Sequence, residues 1–281
     1  MKIVKLKGGL GNQLFQYAFA RAISTSKKRE VYLDDSDYFF SNHRVKRSFD
    51  LLEFNITLRI SSKLNFIQKK YIDWKIKNRL VKFVEQGIYF DENYLKRRGD
   101  FFFDGYWQSY KYFDFIRTKL QEEIVYQKKI SSIAKKYQLQ LKNRNTVAVH
   151  FRRGDYVSDQ HTNDVHGVCT MDYYINAMTH MKTFIENPMY VIFSDDIAFV
   201  KNELGGREDF FYIDGLYSHL EEFEIMKGCN HFIIANSTFS WWAAWLSSND
   251  EKKVIAPKKW FKNEELERQS IDLIPEDWIR I

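Results

Sequence analysis

The sequence predicts an α/β protein built of two halves with parallel strands. The chain opens with a short strand, a glycine loop, a helix and a second strand, which is a βαβ-type beginning. From residue 146 onward, short apolar runs alternate with helical patterns, and each run ends in polar residues. Ligands of open α/β sheets bind beyond the carboxyl ends of the strands, so this second half is predicted to hold the binding site.

The composition is that of a globular protein with room for two domains. The 281 residues exceed the usual size of one compact core, and 44% are hydrophobic and 28% charged. A net charge of +6 suits phosphate-bearing ligands, although a solvated lysine-rich surface explains it equally well. Neither a signal sequence nor an apolar run of 18 residues is evident, and two cysteines fit a reducing compartment. We expect a cytoplasmic protein, with a peripheral position at the inner face of the membrane as an alternative.

The first half begins with strands over residues 2–6 and 30–33. They flank a helix over residues 13–26, where apolar residues recur at helical spacing. A buried strand follows near Phe101, and residues 113–137 are predicted to be helical.

The second half repeats the alternation of strands and helices. Strands are predicted at TVAVHF from residue 146, at MYVIFSDD, at residues 210–213, at HFII and at KVIA, with helices over 171–186 and 217–229. We place the boundary between the halves near residues 141–144, which gives domains of 1–142 and 143–281.

The glycine loop GGLGNQ follows the first strand and opens the first helix. Glycines there let the backbone approach a ligand, and helix N-terminal amides favour an anion. Gly9 and Gly11 fit a dinucleotide-binding fingerprint, but Leu14 stands where the third glycine belongs. A nicotinamide-dependent oxidoreductase and a purely structural turn are therefore both open for this segment.

The segment HFRRGDY, residues 150–156, places two arginines just past a predicted strand. A guanidinium offers a fixed fork of donors that matches phosphate oxygens. Arg152 and Arg153 begin on opposite sides of the strand, so we expect them to have different tasks. Asp155 orients an arginine or takes a proton, and the alternative is a structural pair between Arg153 and Asp155.

Two further strand ends carry polar residues. Asp195 and Asp196 end the FSDD run, where they accept hydrogen bonds from a base or sugar, or cap the following helix. The run ANSTFSWW brings hydroxyls and helix amides together as a phosphate cradle, with an ordinary helix cap as the alternative. The polar residues of that run are Asn236, Ser237, Thr238 and Ser240.

Taken together, GGLGNQLFQYAFARA, HFRRGDY, FSDD and NSTFSWWAAWL, in this order, resemble the motifs of the α-1,2-fucosyltransferases of glycosyltransferase family 11. The resemblance runs from Met1 to about Trp260. It implies a GT-B architecture, with two Rossmann-like domains facing across a cleft. It also implies inverting transfer of fucose from GDP-β-L-fucose to the 2-hydroxyl of a galactose-type residue. The implied partners are GDP-fucose and a galactose-containing oligosaccharide or lipid-linked glycan, and not nucleic acid.

The resemblance implies roles for individual residues as well. The arginine pair and Ser240 contact the diphosphate, and the glycine loop closes over it from the first domain. His150 and Asp196, with Asp195 as neighbour, lie near guanine. The implied donor-binding residues are Gly9, Gly11, Asn12, His150, Arg152, Arg153, Asp195, Asp196, Asn236, Ser237, Thr238 and Ser240.

The predicted catalytic residues are Arg153, Asp155 and Asp159. Departure of GDP leaves negative charge on the β-phosphate, and preorganised donors usually supply the largest catalytic contribution. We expect Arg153 to meet that charge. Asp155 is the first candidate for the general base and Asp159 is the second.

Two other functions stay open on the sequence. An oxidoreductase leaves HFRRGDY and NSTFSWW without a role. A non-enzymatic binder of an anionic polymer rests on the basic, aromatic region 59–98, where residues 63–82 hold seven cations and one acid. That region is predicted to hold helices and connections. It also suits an amphipathic helix on an anionic membrane, or a core-facing helix with a solvated basic side.

No residue pattern indicates a metal site, and no cofactor is expected. The DSD of residues 35–37 matches the DxD of many metal-dependent glycosyltransferases, but it lies directly after the second strand. The histidines show no HExxH or similar spacing.

Transfer from GDP-fucose is therefore expected to continue in excess EDTA, because arginines and helix amides would balance the phosphate charge. The measurement is GDP release with and without the chelator. Loss of activity on chelation, restored by manganese or magnesium, would contradict the expectation.

Overall fold

The computed structural model of the chain describes residues 1–27, 30–40, 47–215 and 218–281, with only the backbone of Lys27, Phe40 and Asp155. The chain forms two compact units. The first comprises Met1–Gln127 and Gln269–Ile274, and the second comprises Lys128–Arg268 and Pro275–Ile281.

The first unit is a five-stranded parallel sheet with helices. The strands follow the order β3-β2-β1-β5-β4 across the sheet. In chain order the elements are β1 (Lys2–Lys5), α1 (Leu10–Lys27), β2 (Val31–Asp34), α2 (Asp37–Phe40), β3 (Arg59–Ile60), α3 (Phe66–Asn78), β4 (Val81–Val84), α4 (Glu92–Lys96), β5 (Phe101–Asp104) and α5 (Arg117–Glu123).

Helix α1 is the centre of this unit. Its apolar residues are buried on almost every side, because other chain segments cover the face that points away from the sheet. The ring of Phe19 stacks on Trp107 with centroids 4.2 Å apart, and Phe15 packs against Phe113. A helix that is apolar all round belongs in a core, which explains why the sequence pattern continues beyond a single stripe.

Buried polar groups hold α1 to the end of α5. The Tyr17 hydroxyl donates to a carboxylate oxygen of Glu123 and accepts from the Thr57 backbone N–H at 3.2 Å. The Arg21 guanidinium donates to both oxygens of the same carboxylate at 2.8–2.9 Å. Burial, reinforced by the hydrogen bond to Glu123, raises the pKa of Tyr17, so this phenol stays protonated.

The second unit is a six-stranded parallel sheet in the order β11-β10-β9-β6-β7-β8. In chain order its elements are α6 (Ser132–Leu141), β6 (Thr146–Phe151), α7 (Gly154–Ser158), α8 (Gln160–His166), α9 (Met171–Met181), β7 (Met189–Ser194), α10 (Ile197–Leu204), β8 (Phe210–Tyr212), α11 (His219–Lys227), β9 (His231–Ile233), α12 (Thr238–Leu246), β10 (Val254–Ala256), α13 (Glu264–Gln269) and β11 (Ile279–Arg280). The prediction of two α/β halves with parallel strands is confirmed.

The division between the units lies earlier than residues 141–144. Helix α6 belongs to the second unit, since Glu221 of α11 accepts hydrogen bonds from the Ser131 N–H at 2.6 Å and hydroxyl at 2.8 Å. Near the end of the chain, Asp272 returns to the first unit. Its carboxylate accepts from the Phe90 N–H at 2.9 Å and pairs with Lys111 at 2.6 Å. The contacts of Glu221 and of Asp272 join residues far apart in the sequence, so no local sequence pattern predicts them.

Local differences from the predictions have simple causes. The short edge strand β4 carries lysine and exposed valines, so it did not stand out from the basic region around it. The predicted helix over residues 113–137 is interrupted between α5 and α6. Within the described residues, no helix combines the length and the apolar character needed to cross a bilayer.

Replacing Tyr17 with Phe is expected to destabilise the first unit by about 1–3 kcal/mol, because the Thr57 N–H and the Glu123 carboxylate each lose a partner. Urea unfolding followed by circular dichroism measures the change. The matched control is Tyr89→Phe, which removes the hydroxyl of an exposed tyrosine. Equal stability of the two variants would show that the buried hydroxyl contributes nothing.

Candidate functional site

Three of the predicted motifs meet at one edge of the second sheet. Strand β6 lies between β7 and β9, and all three run in the same direction. Their carboxyl ends lead into HFRRGDY, FSDD and ANSTFSWW, respectively. These polar strand ends therefore lie at the same edge of the sheet.

The carboxylate of Asp195 holds the turn that follows β6. One oxygen accepts from the backbone N–H groups of Arg153 at 2.8 Å and Gly154 at 3.1 Å. The other lies 2.6 Å from Nη1 of Arg152. A Cβ atom on Gly154 would stand 2.5 Å from the carboxylate, so only glycine allows this approach.

The two arginines diverge, as the strand alternation predicts. Arg152 pairs with Asp195, and its guanidinium carbon lies 5.2 Å from the ring centroid of Tyr156. Arg153 donates from Nε to Asp196 at 3.2 Å, and its guanidinium carbon lies 3.3 Å from the ring centroid of Phe199. Both side chains are about a fifth exposed, so they can still reach a ligand.

Two of the predicted aspartates cap helices. Asp196 accepts from the Phe199 N–H at 3.3 Å, which caps α10 in addition to its contact with Arg153. Asp159 caps α8, where it accepts from the N–H of Thr162 at 2.8 Å and from its hydroxyl at 2.7 Å. The side chain of Asp155, the other candidate base, lies outside the described residues, and its backbone lies in α7.

His150 lies at the end of β6 with its imidazole buried. Its ring centroid is 5.8 Å from that of Phe239 at the start of α12. Burial lowers the pKa of His150 to about 4; the Arg152 charge adds to this effect and Asp195 opposes it. Within the described part of the chain, Nδ1 has no hydrogen-bond partner, which is a costly state for a buried polar atom. The site thus offers a neutral imidazole with an unused polar nitrogen.

At the start of α12, some polar side chains make hydrogen bonds to the backbone, and the side chain of the N-cap residue makes no capping hydrogen bond. The Asn236 amide donates to the carbonyls of His166 at 2.9 Å and Trp260 at 3.1 Å, so it holds two loops together. Ser237 is the N-cap residue, but its side chain makes no capping hydrogen bond. Ser240 is fully buried and donates to the Ser237 carbonyl at 3.3 Å. Thr238 is the first residue of this nine-residue helix.

Sequence reasoning missed Glu222 on α11. Burial raises the pKa of this carboxyl to about 7, with the Asp195 charge in the same direction and His219 and Arg152 opposing it. The charges of Asp195 and Arg152 both act on Glu222. In the sequence, the segment EEFE has the pattern of a solvated helix face. The neighbouring Glu221 points to α6, where it accepts a hydrogen bond from the Ser131 N–H. The available signal was a cluster of acids in a helix that is otherwise mostly apolar.

A cavity of about 220 Å³ opens beside the arginines. Aromatic, sulfur-containing and hydroxyl side chains enclose it together with both guanidinium groups. The residues that line it include Phe151, Arg152, Arg153, Cys169, Tyr174 and Phe199.

The glycine loop belongs to the first unit. Gly8 has φ +82°, and a Cβ atom there would stand 2.7 Å from the Asn12 amide nitrogen. Gly9 precedes α1, whereas Gly11 and Asn12 lie in the first turn of that helix, which starts earlier than predicted. The Asn12 side-chain oxygen accepts from the Gln108 amide at 2.8 Å.

The carboxylates of Asp35 and Asp37 in the DSD segment are bound by neighbouring groups of the protein. Asp35 accepts from the Ser61 hydroxyl at 2.7 Å and the Ser62 N–H at 3.1 Å, and Asp37 pairs with Lys5 at 2.9 Å. Over the described ranges, no group of three or more histidine, cysteine or acidic residues is arranged to hold a metal ion.

The sequence matches the family described as glycosyl transferase family 11 over residues 1–281. The chain belongs to this family. An α-1,2-colitosyltransferase of Escherichia coli is 37% identical over 99% of this chain and 98% of that protein. The galactoside 2-α-L-fucosyltransferase Sec1 of Mus musculus is 24% identical over 89% of this chain and 65% of that protein.

The fold of this family 11 glycosyltransferase also occurs in a solved fucosyltransferase. NodZ, an α-1,6-fucosyltransferase crystallised with GDP, has a TM-score of 0.53 and 15% identity over 86% of this chain and 91% of that chain; a further structure gives Bradyrhizobium as its source. Each unit of the glycosyltransferase carries the parallel sheet of a Rossmann-like domain, so the predicted GT-B fold class is confirmed. Family membership favours sugar transfer over the oxidoreductase and polymer-binding alternatives.

The buried His150 is expected to lower the stability of the protein as the pH is lowered. Its folded pKa of about 4 lies below the unfolded value of about 6.5, so the unfolded chain binds one more proton between these values. The contribution of His150 to stability is fully present above pH 6.5 and falls by up to about 1.4 kcal/mol per pH unit toward pH 4, whereas Glu222, whose folded pKa is raised, contributes in the opposite direction. Urea unfolding followed by tryptophan fluorescence measures this slope.

His150→Asn is expected to have a shallower slope over the same range. The comparison separates this group from His231, whose pKa burial also lowers. Parallel pH curves for the two proteins would refute the assignment.

Proposed function

We propose that this glycosyltransferase moves L-fucose from GDP-β-L-fucose to the 2-hydroxyl of a galactose-type residue, with inversion and without a metal ion. The supporting observation is the edge of the second sheet, where two arginines, a neutral imidazole whose Nδ1 has no partner among the described residues, and the start of α12 occur together. An oligosaccharide or a lipid-linked glycan is the proposed acceptor. Two free cysteines, Cys169 and Cys229, are compatible with the reducing cytoplasm as the place of reaction.

In this proposal, the arginines and α12 bind the diphosphate. Arg153 stabilises the charge that develops on the β-phosphate as the bond to fucose breaks. The backbone N–H groups in the first turn of α12 add hydrogen-bond donors at the positive end of the helix dipole. The hydroxyl of the N-cap residue Ser237, which makes no capping hydrogen bond, is a further donor. Asn236 and Ser240 support this turn through their contacts with backbone carbonyls.

We further propose that Glu222, rather than Asp196, recognises guanine. The Asp196 carboxylate already caps α10 and pairs with Arg153, and Asp195 holds the turn after β6. Glu222 is a half-buried carboxyl whose pKa burial raises, and the charges of Asp195 and Arg152 act on it. An ionised carboxylate accepts two parallel hydrogen bonds from the N1–H and 2-amino group of guanine. His150 would offer its unused nitrogen nearby.

The general base is proposed among the acids after the arginine pair. Asp155 is the first candidate and follows the Arg153 turn directly. Asp159 is the second, and its carboxylate already accepts two hydrogen bonds from Thr162. That engagement favours Asp155, because a base needs a lone pair directed at the acceptor hydroxyl.

The 37% identical colitosyltransferase supports a second donor, GDP-colitose, whose sugar is fucose without the 3-hydroxyl. The deciding experiment compares GDP-fucose, GDP-colitose and UDP-galactose as donors with β-galactoside acceptors, and determines the product linkage by NMR. Fucosyl transfer in α-1,2 linkage supports the proposal. Exclusive use of GDP-colitose would replace fucose as the donor sugar. Transfer only from UDP-galactose would refute the guanine-nucleotide site.

Arg153→Lys is expected to lower the transfer rate by about 10²–10³-fold, because lysine keeps the charge but loses the planar fork. The thermal midpoint should change little, since the guanidinium is partly exposed. The control is Arg207→Lys, which alters an exposed arginine paired with Asp209 in the same unit. A variant that retains near-full activity would exclude Arg153 as the phosphate contact.

Glu222→Gln is expected to weaken GDP binding tenfold or more and to reduce the preference for GDP over inosine diphosphate, which lacks the 2-amino group. Wild-type affinity for GDP should rise with pH through about 7 as the carboxyl ionises. Calorimetric titration measures both effects. Glu224→Gln on the same helix, where Glu224 pairs with Lys227, is the control. An unchanged nucleotide preference would rule out Glu222 as the guanine contact.

A further inference from the structure

Helix α3 of the first unit presents large apolar side chains to solvent. Ile67 is 79% exposed, Phe66 70%, Tyr71 52% and Trp74 48%. Ile67, Tyr71 and Trp74 are spaced four and three residues apart, so they lie along one face of the helix. The Tyr71 and Trp74 rings stack with centroids 6.5 Å apart. Apolar side chains collected on one face indicate an interaction surface, whereas scattered ones need no explanation.

The opposite face of α3 is fixed to the protein. Ile72 is 2% exposed and belongs to a core cluster with Ile3 and Phe102. A capping box between Asn65 and Gln68 closes the N-terminus of the helix. The outward stripe is thus held in place by the fold, because turning it inward would expose the buried face.

Cations flank the stripe. Lys70 and Lys77 are exposed on α3 three residues from Ile67 and Trp74, respectively, and the only acid within the helix is Asp73. The Lys70 amine lies 4.5 Å from the ring centroid of Phe66, and the Arg79 guanidinium carbon 5.8 Å from a Trp74 ring. Aromatic rings beside lysine and arginine are the composition of side chains that sit at a membrane–water interface.

We propose that α3 docks the protein onto an anionic lipid surface, with Ile67, Tyr71 and Trp74 entering the headgroup region and the lysines contacting lipid phosphates. The charge of the face selects this partner, since a second copy of the chain would bring like charges together. A membrane position goes beyond the sugar transfer itself and would place the enzyme where lipid-linked glycans reside. The idea is independent of which sugar the donor carries.

Vesicle flotation tests the docking directly. The wild-type chain is expected to float with phosphatidylcholine–phosphatidylglycerol vesicles at low salt, to bind pure phosphatidylcholine much more weakly, and to dissociate at high salt. Ile67→Ser/Tyr71→Ser/Trp74→Ser should lower the partition coefficient at least tenfold. Lys70→Gln/Lys77→Gln should lower it by about fivefold per lysine removed.

The control alters an equally exposed helix in the other unit. Leu139 on α6 is 71% exposed and has the exposed Lys135 and Lys136 in the preceding turn. Leu139→Ser/Lys135→Gln/Lys136→Gln should float like the wild type. All variants are tested for GDP binding and circular dichroism, so loss of folding is separated from loss of docking.

Tryptophan quenching locates the contact. All seven tryptophans are described, and Trp74 is the exposed one, whereas the other six are at most 6% exposed. Iodide should quench a Trp74 component that anionic vesicles protect, and Trp74→Phe should remove that component. This readout does not depend on enzymatic activity, so it can fail or succeed whatever the fate of the proposed sugar transfer.

Three results would overturn the proposal. The first is absence of flotation at low salt, and the second is flotation that both α3 variants retain. The third is protection of Trp74 by something other than lipid: protection that grows with protein concentration would indicate a second copy, and protection by an oligonucleotide alone would indicate nucleic acid.

Discussion

The carboxylate of Asp195 is the contact on which the geometry of the candidate site depends. It comes from the end of β7 and accepts hydrogen bonds from two backbone N–H groups and one guanidinium of the turn after β6. The register that pairs Phe151 with Ser194 brings this carboxylate to the turn, so sheet geometry fixes the site. The requirement for glycine at position 154 follows, because any side chain would displace the carboxylate.

Charge in the site is nearly balanced before a ligand arrives. Arg152 faces Asp195, Arg153 faces Asp196, and burial keeps His150 neutral. An anionic ligand therefore competes with two aspartates for the guanidinium groups. Each guanidinium carries five donors, so one pairing does not exhaust it. The aspartates orient the arginines and hold them apart, which limits the rearrangement that ligand binding requires.

The parts of the fold and site that the sequence predicted are those with a strong local pattern. Apolar strands ending in polar motifs predicted the second sheet and the polar residues at the carboxyl ends of its strands. Glu222 was not predicted because the burial that raises its pKa depends on tertiary packing and leaves no local signal in the sequence. The unit boundary was displaced for the same reason, since contacts such as that between Ser131 and Glu221 decide it. The strand β4 lacks a continuous apolar run, so a basic region concealed it.

The path of the chain has a consequence for synthesis on the ribosome. The first unit is not a continuous stretch, because residues Gln269–Ile274 return to it after most of the second unit has been made. Until then, the Phe90 N–H and the Lys111 amine lack the Asp272 carboxylate that they contact in the finished molecule. The last contacts of the first unit therefore form only after residues 128–268 of the second unit have been translated.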